Sequence, residues 1–187
     1  EGWHEYTVLP FWQGEGRIVK LRLDFPDGRP GQAYEVDYIR VVDMGRTGEP
    51  VAADWAFDDG IEGWRVEGEG SLRAEGGWLE ADLKAGARLV APPIEVDTAQ
   101  ASFVGMVMSV SAGTSGRLRW ASDKLNGLRQ ADFPTVADGR PHVYNVLVGP
   151  GGNWTGKVIY LDLEPALGAE CRVRIDWLKA ALEPVGP

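Results

Sequence analysis

Apolar and polar residues alternate with a period of two along much of the chain, which predicts strands. In Trp78-Leu79-Glu80-Ala81-Asp82-Leu83 the apolar set Leu79, Ala81 and Leu83 falls on one side, and Trp78, Glu80 and Asp82 fall on the other. A strand with one buried face has this pattern. The same reading places strands near 54–57, 63–66, 71–74, 77–83, 87–90, 101–110, 116–121, 142–148, 157–164 and 171–180. Turn signals such as Asp58-Asp59-Gly60 and Ala137-Asp138-Gly139 separate them. No long helical period interrupts the series. Many short strands at this spacing predict an all-β fold, an antiparallel β-sandwich of jelly-roll type.

The pattern also repeats. His4-Glu5-Tyr6-Thr7-Val8 corresponds to His142-Val143-Tyr144-Asn145-Val146, and each is followed by a Gly-containing turn and a Trp, Trp12 and Trp154. Residues 18–24 then match 158–164 with apolar residues at the same alternate places, and 34–41 match 173–180. This predicts that 1–43 are the C-terminal strands of a preceding sandwich repeat, 44–53 a Gly- and Pro-containing linker, and 54–183 one complete module. Three strands taken from a sandwich leave an apolar face and open edges uncovered. Residues 1–43 are therefore expected to be the end of a tandem copy or to pair with a neighbouring module or a second copy of the chain by strand complementation.

Composition narrows the function. A net charge of −9 argues against a nucleic-acid partner, which needs clustered Lys and Arg. No apolar run approaches the roughly 20 residues of a membrane span. The N-terminus lacks the basic and apolar regions of a signal peptide, so any such signal lies outside this chain. The single Cys171 lies within an apolar strand pattern, which predicts a buried, inert thiol. His4 and His142 are equivalents in the repeat, as are Asp37 and Asp176, and this assigns them framework roles instead of catalytic ones. There is no HExxH, CxxC or P-loop motif. The expectation is a protein with no catalytic residues.

Trp55-Ala56-Phe57-Asp58-Asp59 with Gly63-Trp64, Leu89-Val90-Ala91-Pro92-Pro93, Gly116-Arg117-Leu118-Arg119-Trp120 and the stretch from Trp154 to Trp177 together resemble bacterial secreted β-sandwich repeats of the carbohydrate-binding-module type, within the galactose-binding-like jelly-roll group. The resemblance implies a non-catalytic polysaccharide-binding module of a secreted or cell-surface protein, often attached to a glycoside hydrolase. It also implies a structural Ca²⁺ held between the first and last strands, with Asp58 and Asp176 where its oxygen ligands come from.

Sugars are recognised by a flat aromatic face together with planar polar side chains. Trp12, Trp154, Trp55, Trp64 and Trp177 sit at framework positions and are read as buried. Trp78 shares the polar side of its strand and is the candidate platform. Arg117, Arg119, Trp120, Asp123, Asn126, Arg129, Gln130 and Asn145 are the remaining candidates, most of them on one strand and on a loop over 124–130. The alternative reading is a structural repeat of a surface stalk, array or filament, in which exposed apolar residues join modules.

Overall fold

Among the residues described by the computed structural model, which are 21, 23, 35–39, 52–149 and 153–186, twelve strands form. The copy read at 1–43 and the linker at 44–53 lie outside the described residues, apart from 21, 23, 35–39, 52 and 53. The strands are β1 (Asp54–Trp55), β2 (Arg65–Glu67), β3 (Gly70–Glu75), β4 (Trp78–Leu83), β5 (Arg88–Val90), β6 (Val96–Asp97), β7 (Phe103–Val110), β8 (Ser115–Ser122), β9 (Arg129–Pro134), β10 (His142–Leu147), β11 (Lys157–Glu164) and β12 (Cys171–Ala181). One 3₁₀ turn at Thr98–Gln100 is capped by Asp97, whose carboxylate accepts from the Ala99 N–H at 3.0 Å.

Two sheets result. The first runs β10-β7-β12-β4-β3 with β1 beside β12, and the second runs β2-β5-β11-β8-β9 with β6 beside β11. All pairings are antiparallel. From β9 onward each successive strand crosses to the opposite sheet, which is the wrapping of a jelly-roll sandwich. Alternation then sorts every strand. Leu79, Ala81, Val173, Ile175, Met106 and Met108 of the first sheet meet Leu89, Leu118, Leu161 and Leu163 of the second in one buried cluster.

Two groups of aromatic residues belong to this core. Trp64 packs edge-on against Trp55 at 5.0 Å and against Phe57 at 6.2 Å. Trp120 packs edge-on against Trp154 at 5.3 Å. Both indoles of the second pair are satisfied: Trp120 Nε1 donates to Asn153 O at 2.8 Å, and Trp154 Nε1 donates to Ala101 O at 2.7 Å. A buried Trp with its N–H bonded contributes large apolar area without an orphaned donor.

Three local features depart from the sequence reading. The predicted 124–130 loop ends early, because β9 begins at Arg129 and pairs along β8. With only Ala131 and Phe133 facing inward and Pro134 at its end, β9 is an edge strand whose alternation is too short to stand out. The two-residue β6 is likewise below what periodicity registers. A bulge between Ile175 and Trp177 shifts the register of β12, so that Ile175 and Leu178 both face inward and Trp177 is turned outward. Trp177 is half-buried, in contrast to the framework burial expected from its match to Tyr38.

Cys171 is buried at the start of β12. Burial pushes its thiol up to about 11, so at pH 8 it is held as the unreactive thiol. Ellman's reagent is expected to label it slowly in the native protein and rapidly in urea; fast native labelling would contradict this burial.

Candidate functional site

The two outer faces of the sandwich carry the polar halves of the alternating strands; both pair their charges across strands, and the first also presents the half-buried rings of Trp78 and Trp177. On the second sheet the charges are consumed internally. Arg117 forms a two-point ion pair with Asp132, Nε to Oδ1 at 2.6 Å and Nη2 to Oδ2 at 2.8 Å. Arg119 Nε donates to Asp162 Oδ1 at 2.8 Å, and Tyr160 donates its hydroxyl to Asp162 Oδ2 at 2.8 Å. Arg88 lies beside the same carboxylate, at 3.9 Å, and pairs with Glu67. Asp162 is fully buried. Burial pushes its carboxyl up, against the opposing pull of Arg119, and burial beside Asp162 pushes the Tyr160 phenol up in turn.

The outer face of the first sheet carries a groove of about 530 Å³ lined by Arg73, Glu75, Gly76, Trp78, Glu80, Arg172 and Arg174. Register explains the gathering. Arg73, Glu80 and Arg174 sit opposite one another on β3, β4 and β12, and Asp82 sits opposite Arg172. Glu80 is bridged by Arg73 on one side and by Arg174, at 2.8 Å, on the other. Arg172 donates to Asp82 at 2.8 Å, and Arg73 also reaches Glu75 at 3.4 Å. Trp78 stands half-buried beside this row, and the Arg174 guanidinium stacks 4.6 Å from its ring centroid. That contact is a cation–π pair which fixes the ring.

Continuing across the sheet, Trp177 pairs with Val107 and Val107 with Val143. All three are half-buried. An aromatic and apolar band therefore crosses β12, β7 and β10 from Trp177 to Val143, and Trp78 stands on the same outer face on β4. Lys179 Nζ lies 5.1 Å from the Trp177 ring centroid.

The sequence candidates do not form one constellation. Trp78 stands on the outer face of the first sheet with Glu80, as its alternation requires. Arg117, Arg119 and Gln130 share the outer face of the second sheet, on the far side of the molecule, so one ligand cannot touch both groups. Trp120 requires correction: only 2% of its surface is exposed and it belongs to the core, because its place in β8 alternates with Arg119 and points inward. Asp123 closes the end of the β8–β11 pair, accepting from the Lys157 N–H at 2.7 Å. Asn126 is exposed in the β8–β9 turn, and Arg129 reaches the Leu128 carbonyl at 3.4 Å. Asn145 lies on the first sheet's outer face, bound to the backbone of Val185.

Reading the outward-facing positions of the Trp78 strand would have found Glu80, and the register opposite Glu80 adds Arg73 and Arg174. Nothing in the sequence marks the bulge that adds Trp177. His142 pairs with Asp138 at 2.9 Å at the exposed start of β10. His4 and Trp12 lie outside the described residues. Among the described residues no cluster of three or more His, Cys, Asp or Glu gathers to hold a metal ion. Asp58 and Asp176, the expected calcium ligands, belong to no such cluster. No described helix is long and apolar enough to cross a membrane.

No protein-family model matches the chain, and no curated protein matches it. Among solved structures it is similar to a variant of a family 29 carbohydrate-binding module, at 13% identity and a TM-score of 0.48, covering 67% of this chain and 89% of that one. It is similar at 13% identity and a TM-score of 0.47 to another variant of that module complexed with mannohexaose, covering 67% of this chain and 88% of that one. BiXyn10A CBM1 in its apo form matches at 12% identity and a TM-score of 0.48, covering 72% of this chain and all of that one. A likeness at this level carries no argument about function, which rests on the residues of the two faces.

Proposed function

We propose that this chain is a non-catalytic carbohydrate-binding module whose ligand lies on the outer face of the first sheet, across the strands, along Trp78 and Trp177. The observation that carries the reading is Trp78 itself. A large aromatic ring on the polar side of a strand, held in an open groove by Arg174 and flanked by the planar groups of Arg73 and Glu80, has the parts that a pyranose needs. The ring supplies an apolar platform, and the guanidiniums and carboxylates supply donors and acceptors for hydroxyls. Their cross-strand pairing fixes them in advance, which lowers the entropy cost of binding.

The charge balance favours a neutral polysaccharide. On this face Arg73, Arg172 and Arg174 are all engaged by Glu75, Glu80 and Asp82, three guanidiniums against three carboxylates. Beside the Trp78 ring no surplus guanidinium is left to attract a uronate or a phosphate, and the cation further along the face, Lys179, lies against the Trp177 ring. The module is read as part of an extracellular or cell-surface protein, where such a ligand is met.

Native affinity electrophoresis through gels containing xylan, β-glucan, mannan or pectin tests the proposal. Retardation by at least one neutral polysaccharide and not by pectin is expected. Trp78→Ala is expected to weaken it by about 10-fold or more, as loss of a central aromatic anchor does, with an unchanged circular dichroism spectrum. Wild-type mobility in every gel, or wild-type retention by Trp78→Ala, would sink the assignment.

A further inference from the structure

The segment after β12 turns back over the same outer face. The Asn145 side chain grips Val185 at two points: its Nδ2 donates to Val185 O at 3.0 Å, and its Oδ1 accepts from Val185 N at 2.8 Å. One side-chain amide thereby reproduces the paired bonds that a neighbouring strand would make. Beneath Val185 lies Gly105 of β7. A Cβ at this position would collide with Val185 Cγ2 and would stand 3.5 Å from Trp177 Cζ3. The methyl group and the indole edge thus share the dimple that the missing side chain leaves, while Lys179 flanks the same ring. Leu182, Glu183 and Pro184 are exposed on the way to it, and Pro184 stiffens the approach.

We propose that residues 182–186 form a strap that positions Trp177 and walls one side of the aromatic band, opposite the wall made by Arg73, Glu80 and Arg174. The proposal rests on the carbohydrate reading of this face and adds a specificity element to it. Trp78 is stacked by Arg174 and on this proposal does not need the strap, whereas Trp177 shares the dimple at Gly105 with Val185 and is positioned by it. A short sugar resting on Trp78 is then indifferent to the strap. A longer chain reaching Trp177 depends on it. Asn145 is on this view a latch, not a direct sugar ligand, and Gly105 is required because only hydrogen leaves room for Val185.

The test uses two variants of the full chain. Gly105→Ala ejects Val185 by collision, and the exposed Asn145→Ala removes both latch bonds without touching the core. Iodide quenching of tryptophan fluorescence reads the release of the strap, and Trp177→Phe in each background assigns the change to that ring. Calorimetric titration with cellobiose, cellohexaose, mannobiose and mannohexaose reads its consequence. Both variants are expected to show increased quenching that disappears with Trp177→Phe. They are also expected to lose about 2- to 10-fold affinity for a hexaose, the cost of re-immobilising one aromatic side chain, with biose affinity unchanged. Quenching unchanged in both variants would overturn the strap. So would hexaose affinity that stays level or rises once quenching shows release, the latter meaning that the segment covers the face instead of shaping it. Wild-type protein that binds none of these sugars while quenching behaves as expected would refute the carbohydrate reading and leave the positioning of Trp177 standing.

Discussion

Replacing Asp162 with Ala is expected to destabilise the fold by about 3–5 kcal/mol, the range for breaking a buried ion pair from one side. The carboxylate is fully buried and joins Arg119 and Tyr160 by hydrogen bonds, with Arg88 close by. Deleting it strands the Arg119 guanidinium and leaves Arg88 with Glu67 alone, and neither has much to spare, since Arg88 Nε and Arg119 Nη2 are buried without a hydrogen-bond partner. Asp162→Asn keeps one acceptor and is expected to cost less, about 1–2 kcal/mol. Urea unfolding monitored by fluorescence measures both. Equal losses in the two variants would show that the charge is immaterial.

The pH dependence has a definite sign. Burial raises the carboxyl in the folded protein, so in the window just above the ordinary Asp value of about 3.9 the native state holds more protons than the unfolded chain. Stability gained from that proton is present at the acid end and is lost as pH rises through the raised value. Wild type should therefore lose stability relative to Asp162→Asn across this window.

The network also shows how far the sequence could be read. Arg117 and Arg119 are visible as a polar stripe on β8, and alternation places them on one face. The same alternation along β11, with Tyr160, Asp162 and Glu164 interleaved among Leu161 and Leu163, supplies the partner of Arg119 only once β8 and β11 are known to be neighbours, and the partner of Arg117, Asp132, comes from β9. Pairing across 43 residues of chain leaves no local trace. A cluster that looks like free recognition surface in one dimension is therefore a closed ion-pair network in three. On the first sheet the reverse happened. Trp78 announced itself by sitting on the wrong side of its strand, and its partners Arg174 and Arg73 could be named only with the register of β3, β4 and β12 in hand. Trp177 was hidden by a bulge, a backbone event that shifts alternation by one residue and turns a framework tryptophan into part of a surface. Alternation specified the sandwich because most of each strand obeys it; the site depends on which strands are adjacent and on the bulge in β12.

Trp120→Ala is expected to destabilise the module by about 3–5 kcal/mol while leaving sugar affinity within about 2-fold at temperatures well below melting, less than the roughly 0.4 kcal/mol that this ratio represents. Its indole packs in the core against Trp154, with the rings nearly perpendicular at 74° and each N–H committed to a backbone carbonyl. Truncation removes the ring, leaves a cavity and orphans the Asn153 carbonyl, so the cavity and hydrogen-bond costs add. Because Trp154 loses its edge contact at the same time, Trp120→Ala and Trp154→Ala should not be additive. A double-mutant cycle is expected to return a coupling of about 0.5–1.5 kcal/mol beyond area burial. The contrast with Trp78 separates the two roles a tryptophan plays in this molecule: one change should shift the unfolding midpoint and spare the gel retardation, the other should abolish retardation and spare the midpoint. Loss of sugar binding in a fully folded Trp120→Ala protein would mean that the second sheet's face takes part in recognition, and the assignment of the ligand to the face of Trp78 and Trp177 would then have to give way.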